Sequence, residues 1–288
     1  MADEPWTIGR VLGWASANLR ARGTETPRLD AELLLGEVLG CDRVKLITDA
    51  ERPLSKVELG AYRELHKRRR RGEPVAYLRG WREFFGRMFE VDRRVLVPRP
   101  ETELLVEVGL RRSRHLSLSA RCLDVCTGSG CVAITLAKER PTTTVVASDI
   151  SADALAVARA NALRLGAVIG LVRSDLYGAL QGQRHSFDLI TANPPYISDG
   201  DMAELPVEIR LFEPPLALAA GGDGLSVIRR LISGAPAMLR PGGVLALEVG
   251  AGTAEQVCQL LSAAGFRELS RDRDYGGHER VVSGIRPP

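Results

Sequence analysis

Aromatic residues are scarce in this chain of 288: six Phe, five Tyr and three Trp make up 5% of it. Any core it forms must be aliphatic, and a hydrophobic content of 45% is enough for a substantial one. No apolar run approaches the roughly 20 residues that a bilayer-spanning helix needs, so no membrane association is expected. The opening Met1-Ala2-Asp3-Glu4-Pro5 lacks the basic-then-apolar order of a secretory leader, and a cytoplasmic location is the expectation. The five cysteines (41, 122, 126, 131 and 258) form no C-x-x-C pair. Buried free thiols in a reducing cytosol explain them best. The four histidines (66, 115, 185 and 278) are isolated in sequence, so no metal site is expected. A net charge of only +3 argues against an extended nucleic-acid surface.

What the chain does have is Asn193-Pro194-Pro195-Tyr196, directly after the apolar run Phe187 to Ala192, which reads as a buried strand. A residue before proline is driven into extended geometry, so Asn193 cannot begin a helix. Pro194 and Pro195 have no N–H and a fixed φ, which stops the strand ladder at that point. The result is an amide acceptor and a backbone carbonyl presented at a strand end beside the ring of Tyr196. Such a group suits chemistry on a planar, weakly nucleophilic NH2. A plain polar turn is the alternative, since Asn and Pro are common in turns.

A second constellation lies about seventy residues earlier. Arg121 to Cys126 reads as a strand, Thr127-Gly128-Ser129-Gly130 as a turn, and Cys131 to Lys138 as a helix. Strand, glycine turn and helix together form a nucleotide-binding arrangement, because glycines let backbone approach a ligand. A further strand, Thr144 to Ser148, ends in Asp149, about 25 residues after Asp124. That is near the ~20-residue offset at which an acid grips a ribose diol. Dinucleotide enzymes aim such a turn at a pyrophosphate, yet nothing basic adjoins this one in sequence. A sulfonium ligand without phosphates, S-adenosyl-L-methionine, fits better.

Further segments narrow the assignment: Val97-Pro98-Arg99-Pro100-Glu101-Thr102-Glu103, Phe212-Glu213-Pro214-Pro215, and Arg273 to Arg280. In that order, around the Asn-Pro-Pro-Tyr turn, they make the chain resemble the bacterial peptide chain release factor glutamine methyltransferases over nearly its whole length. The resemblance implies a Rossmann-like class I methyltransferase sheet of α/β class behind a small helical domain. The implied reaction is methylation of the glutamine amide nitrogen in the Gly-Gly-Gln motif of release factors, with S-adenosyl-L-homocysteine as the other product. Release factors are then the partners and nucleic acid is not required.

By the same resemblance, Asn193, Pro194 and Tyr196 are catalytic, and Asn193, Pro194, Pro195, Tyr196 and Glu213 meet the substrate. Cys126, Thr127, Gly128, Ser129, Gly130, Asp149, Asp175, Leu176 and Asn193 meet the cofactor. Asp149 is expected to hold the ribose, Asp175 with Leu176 the adenine, and Asp124 to support the turn. Two departures stand out: Cys126 occupies a position where many relatives carry glycine, and Leu176 one where some carry tryptophan. A DNA or RNA adenine amino-methyltransferase shares the central turn and is the runner-up; it should carry a base-reading domain and flip its target base.

The chain divides into a helical region over 1–72, a linking β-hairpin over 73–97 and a catalytic domain over 98–288. Ile8, Val11, Leu12, Ala15 and Leu19 share one helix face. Thr26 as cap and Pro27 open a second helix, which carries Leu29, Leu33 and Val38 toward Gly40. Ser55 and Glu58 form a capping-box pattern before a third helix, which carries Leu59, Tyr62 and Leu65. That helix ends in Lys67-Arg68-Arg69-Arg70-Arg71, read either as helix-end electrostatics or as a patch for an acidic partner or RNA. The hairpin aromatics are expected to pack the two domains together. From 121 onward strands and helices alternate, implying a parallel sheet, with 266–270 and 280–283 closing it as an antiparallel pair.

Overall fold

The computed structural model describes residues 5–117 and 119–288. The expectation about a leader in the first five residues therefore falls almost wholly outside the described residues. Two compact units emerge: one of residues up to Gly80 together with Val207–Phe212, the other of Trp81–Pro206 and Glu213–Pro288.

The first unit is helical. Helix α1 (Ile8–Arg20) starts where the Thr7 hydroxyl accepts the Arg10 N–H, and it buries the apolar face expected from its spacing. Helix α2 (Pro27–Leu39) begins at Pro27 and ends at left-handed Gly40. Its N-terminus differs from expectation. The Thr26 hydroxyl donates to the Asp30 carboxylate at 2.8 Å instead of capping the backbone, because reaching the buried acid turns its oxygen away from the helix's first N–H groups. The buried stripe is Ala31, Leu34 and Leu35, while Leu29 points outward; α2 packs between α1 and the later helix α4, which selects that side. Helices α3 (Arg43–Thr48), α4 (Lys56–Arg69) and α5 (Val75–Arg79) follow. The Ser55 and Glu58 capping box is complete in both directions. Tyr62 is buried in an aliphatic core with Leu12, Leu34, Leu35, Leu46 and Leu78.

The basic run at the end of α4 splits by environment. Arg69 is buried and its guanidinium meets Asp30 at 2.6 Å and Glu208 at 2.8 Å. Arg68 grips Glu73 through two 2.8 Å bonds. Only Lys67, Arg70 and Arg71 are solvated cations of the kind expected for the whole run.

In the second unit, the hairpin occupies a shorter stretch than expected, because residues 75–79 are helical. It consists of β1 (Trp81–Phe84) and β2 (Arg87–Glu90), closed by Phe85-Gly86, both at positive φ. Two residues at positive φ match the twist of a tight hairpin. Phe84 and Phe89 do not bridge units; they pack inside this one with Leu105, Val106 and Ile134.

After a 3-10 turn at Pro100–Thr102 come α6 (Glu103–Arg112), β3 (Arg121–Val125), α7 (Cys131–Glu139), β4 (Thr144–Asp149) and α8 (Ala152–Leu165). Then come β5 (Ile169–Arg173), β6 (Phe187–Ala192), α9 (Val207–Phe212), α10 (Ser226–Met238), β7 (Leu239–Glu248), α11 (Ala254–Ala263), β8 (Arg267–Arg273) and β9 (Glu279–Ile285). Seven strands form one sheet in the order β5-β4-β3-β6-β7-β9-β8. The first five are parallel, and β9 runs antiparallel to both of its neighbours.

Strands covered on both faces read as continuous apolar runs. Accordingly Leu123, Ile190, Leu245 and Leu247 face α10 and α11, while Cys122, Leu189, Val244 and Ala246 face α6 and α7. The strand order reverses direction between β3 and β6, the switch point where open α/β sheets bind ligands at the carboxyl ends of their strands.

Candidate active site

At that switch point lies a cavity within the second unit. Its lining includes Cys126, Thr127, Gly128, Ser129, Asp149, Asp175, Leu176, Asn193 and Pro195. These come from the ends of β3, β4, β5 and β6, so the parallel topology gathers residues spread over seventy positions. Strand β3 ends because Cys126 takes a left-handed conformation, φ 60°. The turn then folds on itself, with the Gly130 N–H donating to the Thr127 carbonyl at 2.9 Å. Asp124 holds its shape: the carboxylate accepts the Thr127 hydroxyl at 2.6 Å and the Thr191 hydroxyl at 2.8 Å. Burial raises the Asp124 carboxyl to about 7 despite those two hydrogen bonds.

The two glycines of the turn differ. A Cβ on Gly128, at φ 56°, would meet no atom within 4 Å, so its open side is free for a ligand. A Cβ on Gly130, at φ 81°, would stand 3.0 Å from Ile134 Cδ1 and 3.1 Å from Ala158 Cβ. Gly130 is not among the residues lining the cavity; its lack of a Cβ lets the turn pack against α7 and α8. The backbone is braced from behind by buried Asn161, whose amide nitrogen donates to the Ser129 carbonyl at 3.0 Å.

Asp149 accepts the Gly128 N–H on Oδ2 and the Ser151 N–H on Oδ1, each at 2.9 Å. Each oxygen keeps a lone pair, which leaves the carboxylate able to take two further donors. Burial raises its pKa, and these backbone bonds oppose the rise. The Asp175 carboxylate faces the Arg230 guanidinium at 2.7 Å, both about half exposed. Leu176, at φ 49°, supplies apolar surface to the cavity with Ile150 and Val227.

Asn193 stands just beyond β6, and its amide nitrogen donates to the Thr102 hydroxyl at 3.1 Å. That contact directs Oδ1 away from Thr102. Pro194 is buried and Pro195 lines the cavity. Tyr196 is half-buried with its ring against Gly250, where a Cβ would come within 3.3 Å of Cδ2, and it does not line this cavity. Burial pushes its hydroxyl up to about 12, so it stays protonated at neutral pH. Glu213 is also not a lining residue; it is buried beneath Arg99, with Oε1 2.6 Å from that guanidinium.

Three features escaped the sequence. Arg94, Arg99 and Arg230 line the cavity, although none adjoins the glycine turn in sequence. Each faces a carboxylate, Asp92, Glu213 and Asp175 respectively, so no uncompensated positive charge awaits a pyrophosphate. Thr102 could have been singled out from the Pro98 to Glu103 segment, but its role depends on its meeting Asn193. Glu248, at the end of β7, is 1% exposed, and burial raises its carboxyl to about 7. Nothing in its sequence neighbourhood signals this.

Residues 10–80 match the family model described as PrmC N-terminal domain, and residues 100–222 match that described as Methyltransferase small domain. The chain is 43% identical over 286 residues to the release factor glutamine methyltransferase of Geobacter sulfurreducens, with 99% of each chain covered. It is 42% identical over 289 residues to the one from Rhodopirellula baltica, covering 98% of this chain and 97% of that one. The chain belongs to the release factor glutamine methyltransferase family. Its fold is also that of a methyltransferase from Pyrococcus furiosus, with TM-score 0.54 and 20% identity over 71% of this chain and 91% of that one. The family assignment gives the second unit its class, a class I methyltransferase sheet. It also accounts for the order of the three flanking segments read in the sequence.

Proposed function

We propose that this enzyme methylates the side-chain amide nitrogen of the glutamine in the Gly-Gly-Gln motif of a bacterial peptide chain release factor, in the cytoplasm and with S-adenosyl-L-methionine as donor. The observation that carries this reading is the amide of Asn193, fixed through its nitrogen by Thr102 and bordering the same cavity as the glycine turn. The cavity residues suit that donor. Asp149 has acceptor capacity for a ribose diol, Leu176 with Ile150 and Val227 offers an apolar wall for a base, and Gly128 leaves backbone open to a small zwitterionic tail. The neutralised arginines disfavour a phosphate-bearing alternative. Bound there, S-adenosyl-L-methionine supplies an electrophilic sulfonium methyl and leaves as S-adenosyl-L-homocysteine.

The protein's own part is positioning. A glutamine amide nitrogen is a weak nucleophile because its lone pair is delocalised into the carbonyl. Asn193 Oδ1 and the Pro194 carbonyl each accept one of its N–H groups, holding the nitrogen in place and favouring the positive charge that develops on it. Positioning and preorganised dipoles then provide most of the acceleration. No base is needed before transfer, since the methylated nitrogen is acidic and releases its proton afterwards. Tyr196, half-buried against Gly250, braces the loop behind those acceptors. Glu213 acts through Arg99. The helical region, 1–72 in the sequence division, is assigned to recognition of the release factor, with 73–97 connecting it to the transfer domain 98–288.

Removing a preorganised polar contact commonly costs about 10²–10³ in rate. Asn193→Ala should lower turnover by that order, while S-adenosyl-L-methionine affinity measured by calorimetry falls only a few-fold. Mass spectrometry of a co-expressed release factor should show one added methyl on the Gly-Gly-Gln peptide. A purified enzyme that leaves the factor unmodified yet methylates adenine in DNA or RNA sinks the proposal in favour of the runner-up.

A further inference from the structure

No residue of the β1–β2 hairpin, Trp81 to Glu90, lines the cavity. One side chain nevertheless ties the hairpin to the glycine turn. Asn161 lies on α8 and is 0% exposed. Its Oδ1 accepts the Glu90 N–H at 2.7 Å, and its Nδ2 donates to the Glu90 and Ser129 carbonyls, each at 3.0 Å. A carboxamide has two N–H donors and two acceptor lone pairs, so both donors and one lone pair are spent on backbone. The Arg164 guanidinium stands 3.4 Å from the same oxygen and also bonds the Met88 carbonyl of the hairpin. Exchanging the amide oxygen and nitrogen would set Oδ1 against two carbonyl oxygens and the NH2 against the Glu90 N–H. Buried groups left unpaired in that way are costly, so the amide has one orientation.

Asn161 is therefore a joint between two segments of the cavity lining. On one side is the turn. A peptide group is planar and trans, so its carbonyl and N–H point in opposite directions. In the Ser129–Gly130 peptide the carbonyl is held by Asn161, and the N–H by the Thr127 carbonyl at 2.9 Å. The neighbouring Gly128 keeps its open backbone toward the cavity and gives its N–H to Asp149 at 2.9 Å. On the other side, the strand that ends at Glu90 leads into Arg94, Val95, Leu96, Pro98 and Arg99, which line the same cavity. Val91 and Val95 are buried, and a close-packed stretch transmits a shift at Glu90 instead of absorbing it. The hairpin itself is anchored by Phe84 and Phe89, buried with Leu105, Val106 and Ile134.

We propose that Asn161 is a positioning residue that couples the hairpin to the glycine turn, so that the packing of a hairpin outside the cavity sets the affinity for S-adenosyl-L-methionine. The inference rests on the reading of the cavity as the site of that cofactor. Coupling between equilibria is reciprocal. If hairpin packing tightens cofactor binding, then cofactor binding tightens the hairpin by the same factor.

The test uses the full-length protein. Calorimetry, well below the melting range, gives the S-adenosyl-L-methionine affinity of the parent, Asn161→Leu, Phe89→Leu and the double variant. Leu261→Ala, which truncates a buried residue of α11 outside the lining, controls for lost stability. Coupling carried by a packed network amounts to roughly 2- to 30-fold in an equilibrium. Within that range, Asn161→Leu should weaken binding about 10-fold and Phe89→Leu about 3-fold, with Leu261→Ala at the parent value despite its lower Tm. The double variant should bind no more weakly than Asn161→Leu, because the joint is already broken. Hydrogen exchange at the amides of residues 84–91 should slow when the cofactor is added to the parent, and should not slow in Asn161→Leu. Losses that multiply in the double variant overturn the inference, as does parent affinity in Phe89→Leu or an equal loss in Leu261→Ala. Hairpin exchange in the parent that ignores the cofactor also overturns it. Should Asn161→Leu fail to fold, the Phe89→Leu affinity and the parent exchange decide. A parent that binds no S-adenosyl-L-methionine refutes the cofactor reading and this inference with it; a parent that binds it without the coupling refutes this inference alone.

Discussion

Gly128 and Gly130 sit two residues apart in one turn, yet alanine at each should fail for a different reason. Both positions have positive φ, where a Cβ costs about 1–2 kcal/mol. Alanine recovers roughly 0.4–1 kcal/mol of that by restricting the unfolded chain. At Gly128 nothing else opposes the new methyl, because no atom lies within 4 Å of it. Its net cost should be about 1 kcal/mol. At Gly130 the methyl would stand 3.0 Å from Ile134 Cδ1 and 3.1 Å from Ala158 Cβ, and overpacking of this kind adds about 1–3 kcal/mol. For a unit of this size, 1 kcal/mol moves Tm by about 2–4 °C. Circular-dichroism melts should show Gly128→Ala lowered by a few degrees and Gly130→Ala by roughly 5–12 °C. Calorimetry should show the reverse ranking for S-adenosyl-L-methionine: affinity suffers more in Gly128→Ala, whose methyl enters the cavity. Equal melting shifts, or a Gly130→Ala protein that melts like the parent and only loses cofactor, would refute the packing argument.

Asp124 has a folded pKa of about 7, raised from 3.8 by burial. Its contribution to stability is full below its unfolded value and is lost as pH rises through about 7. Urea midpoints at pH 5 and pH 8 should therefore differ in a sense that Asp124→Asn weakens; an unchanged difference would remove Asp124 as its cause. Cys126, at φ 60°, carries a left-handed strain that glycine relieves while loosening the unfolded chain by roughly 0.5–1 kcal/mol. Cys126→Gly should leave Tm within a few degrees and Cys126→Val should lower it clearly, and similar melts for the two would show that the position is unstrained. Arg69→Met strands the buried Asp30 carboxylate and should cost about 3–5 kcal/mol by urea unfolding. Adding Asp30→Asn should restore part of it; additive losses would mean the pair is not coupled.

The parallel sheet was legible because strands buried on both faces are apolar throughout, and the glycine turn and Asn193 lie where chain punctuation is strongest. Capping was legible at Ser55 and Glu58, where each side chain bonds the other residue's backbone N–H and Glu58 keeps its second oxygen for Arg52. At Thr26 the same logic failed, since Asp30 is buried by helices distant in sequence and draws the hydroxyl away. Which side of α2 is covered was not read from the sequence: it packs between two helices, and periodicity does not say which flank is buried. Arg94, Arg99, Arg230, Thr102 and Glu248 are site residues only by virtue of the sheet that gathers them. Their charges and hydroxyls read locally as ordinary surface chemistry. Tyr196 and Glu213 come from segments the sequence singled out, yet neither lines the cavity: one packs on Gly250 and the other pairs with Arg99.

The excursion between Ile197 and Ala219 has a bearing on how the protein is made. Its ends are pinned to each other, with the Ile197 N–H donating to the Leu218 carbonyl and the Ala220 N–H donating to the Ile197 carbonyl, both at 2.9 Å. Between them the chain passes through α9, which is grouped with the helical unit and supplies Glu208 to Arg69. During synthesis the first eighty residues leave the ribosome early, yet their unit stays one helix short until residue 212 has emerged. In that interval Arg69 has Asp30 but not Glu208, and Gly72 lacks the Val207 and Phe212 side chains that later pack on it. The nascent helical unit should accordingly be protease-sensitive until the Asn-Pro-Pro-Tyr loop has been translated. The last helix of the amino-terminal unit is thus completed only after the strand that carries Asn193.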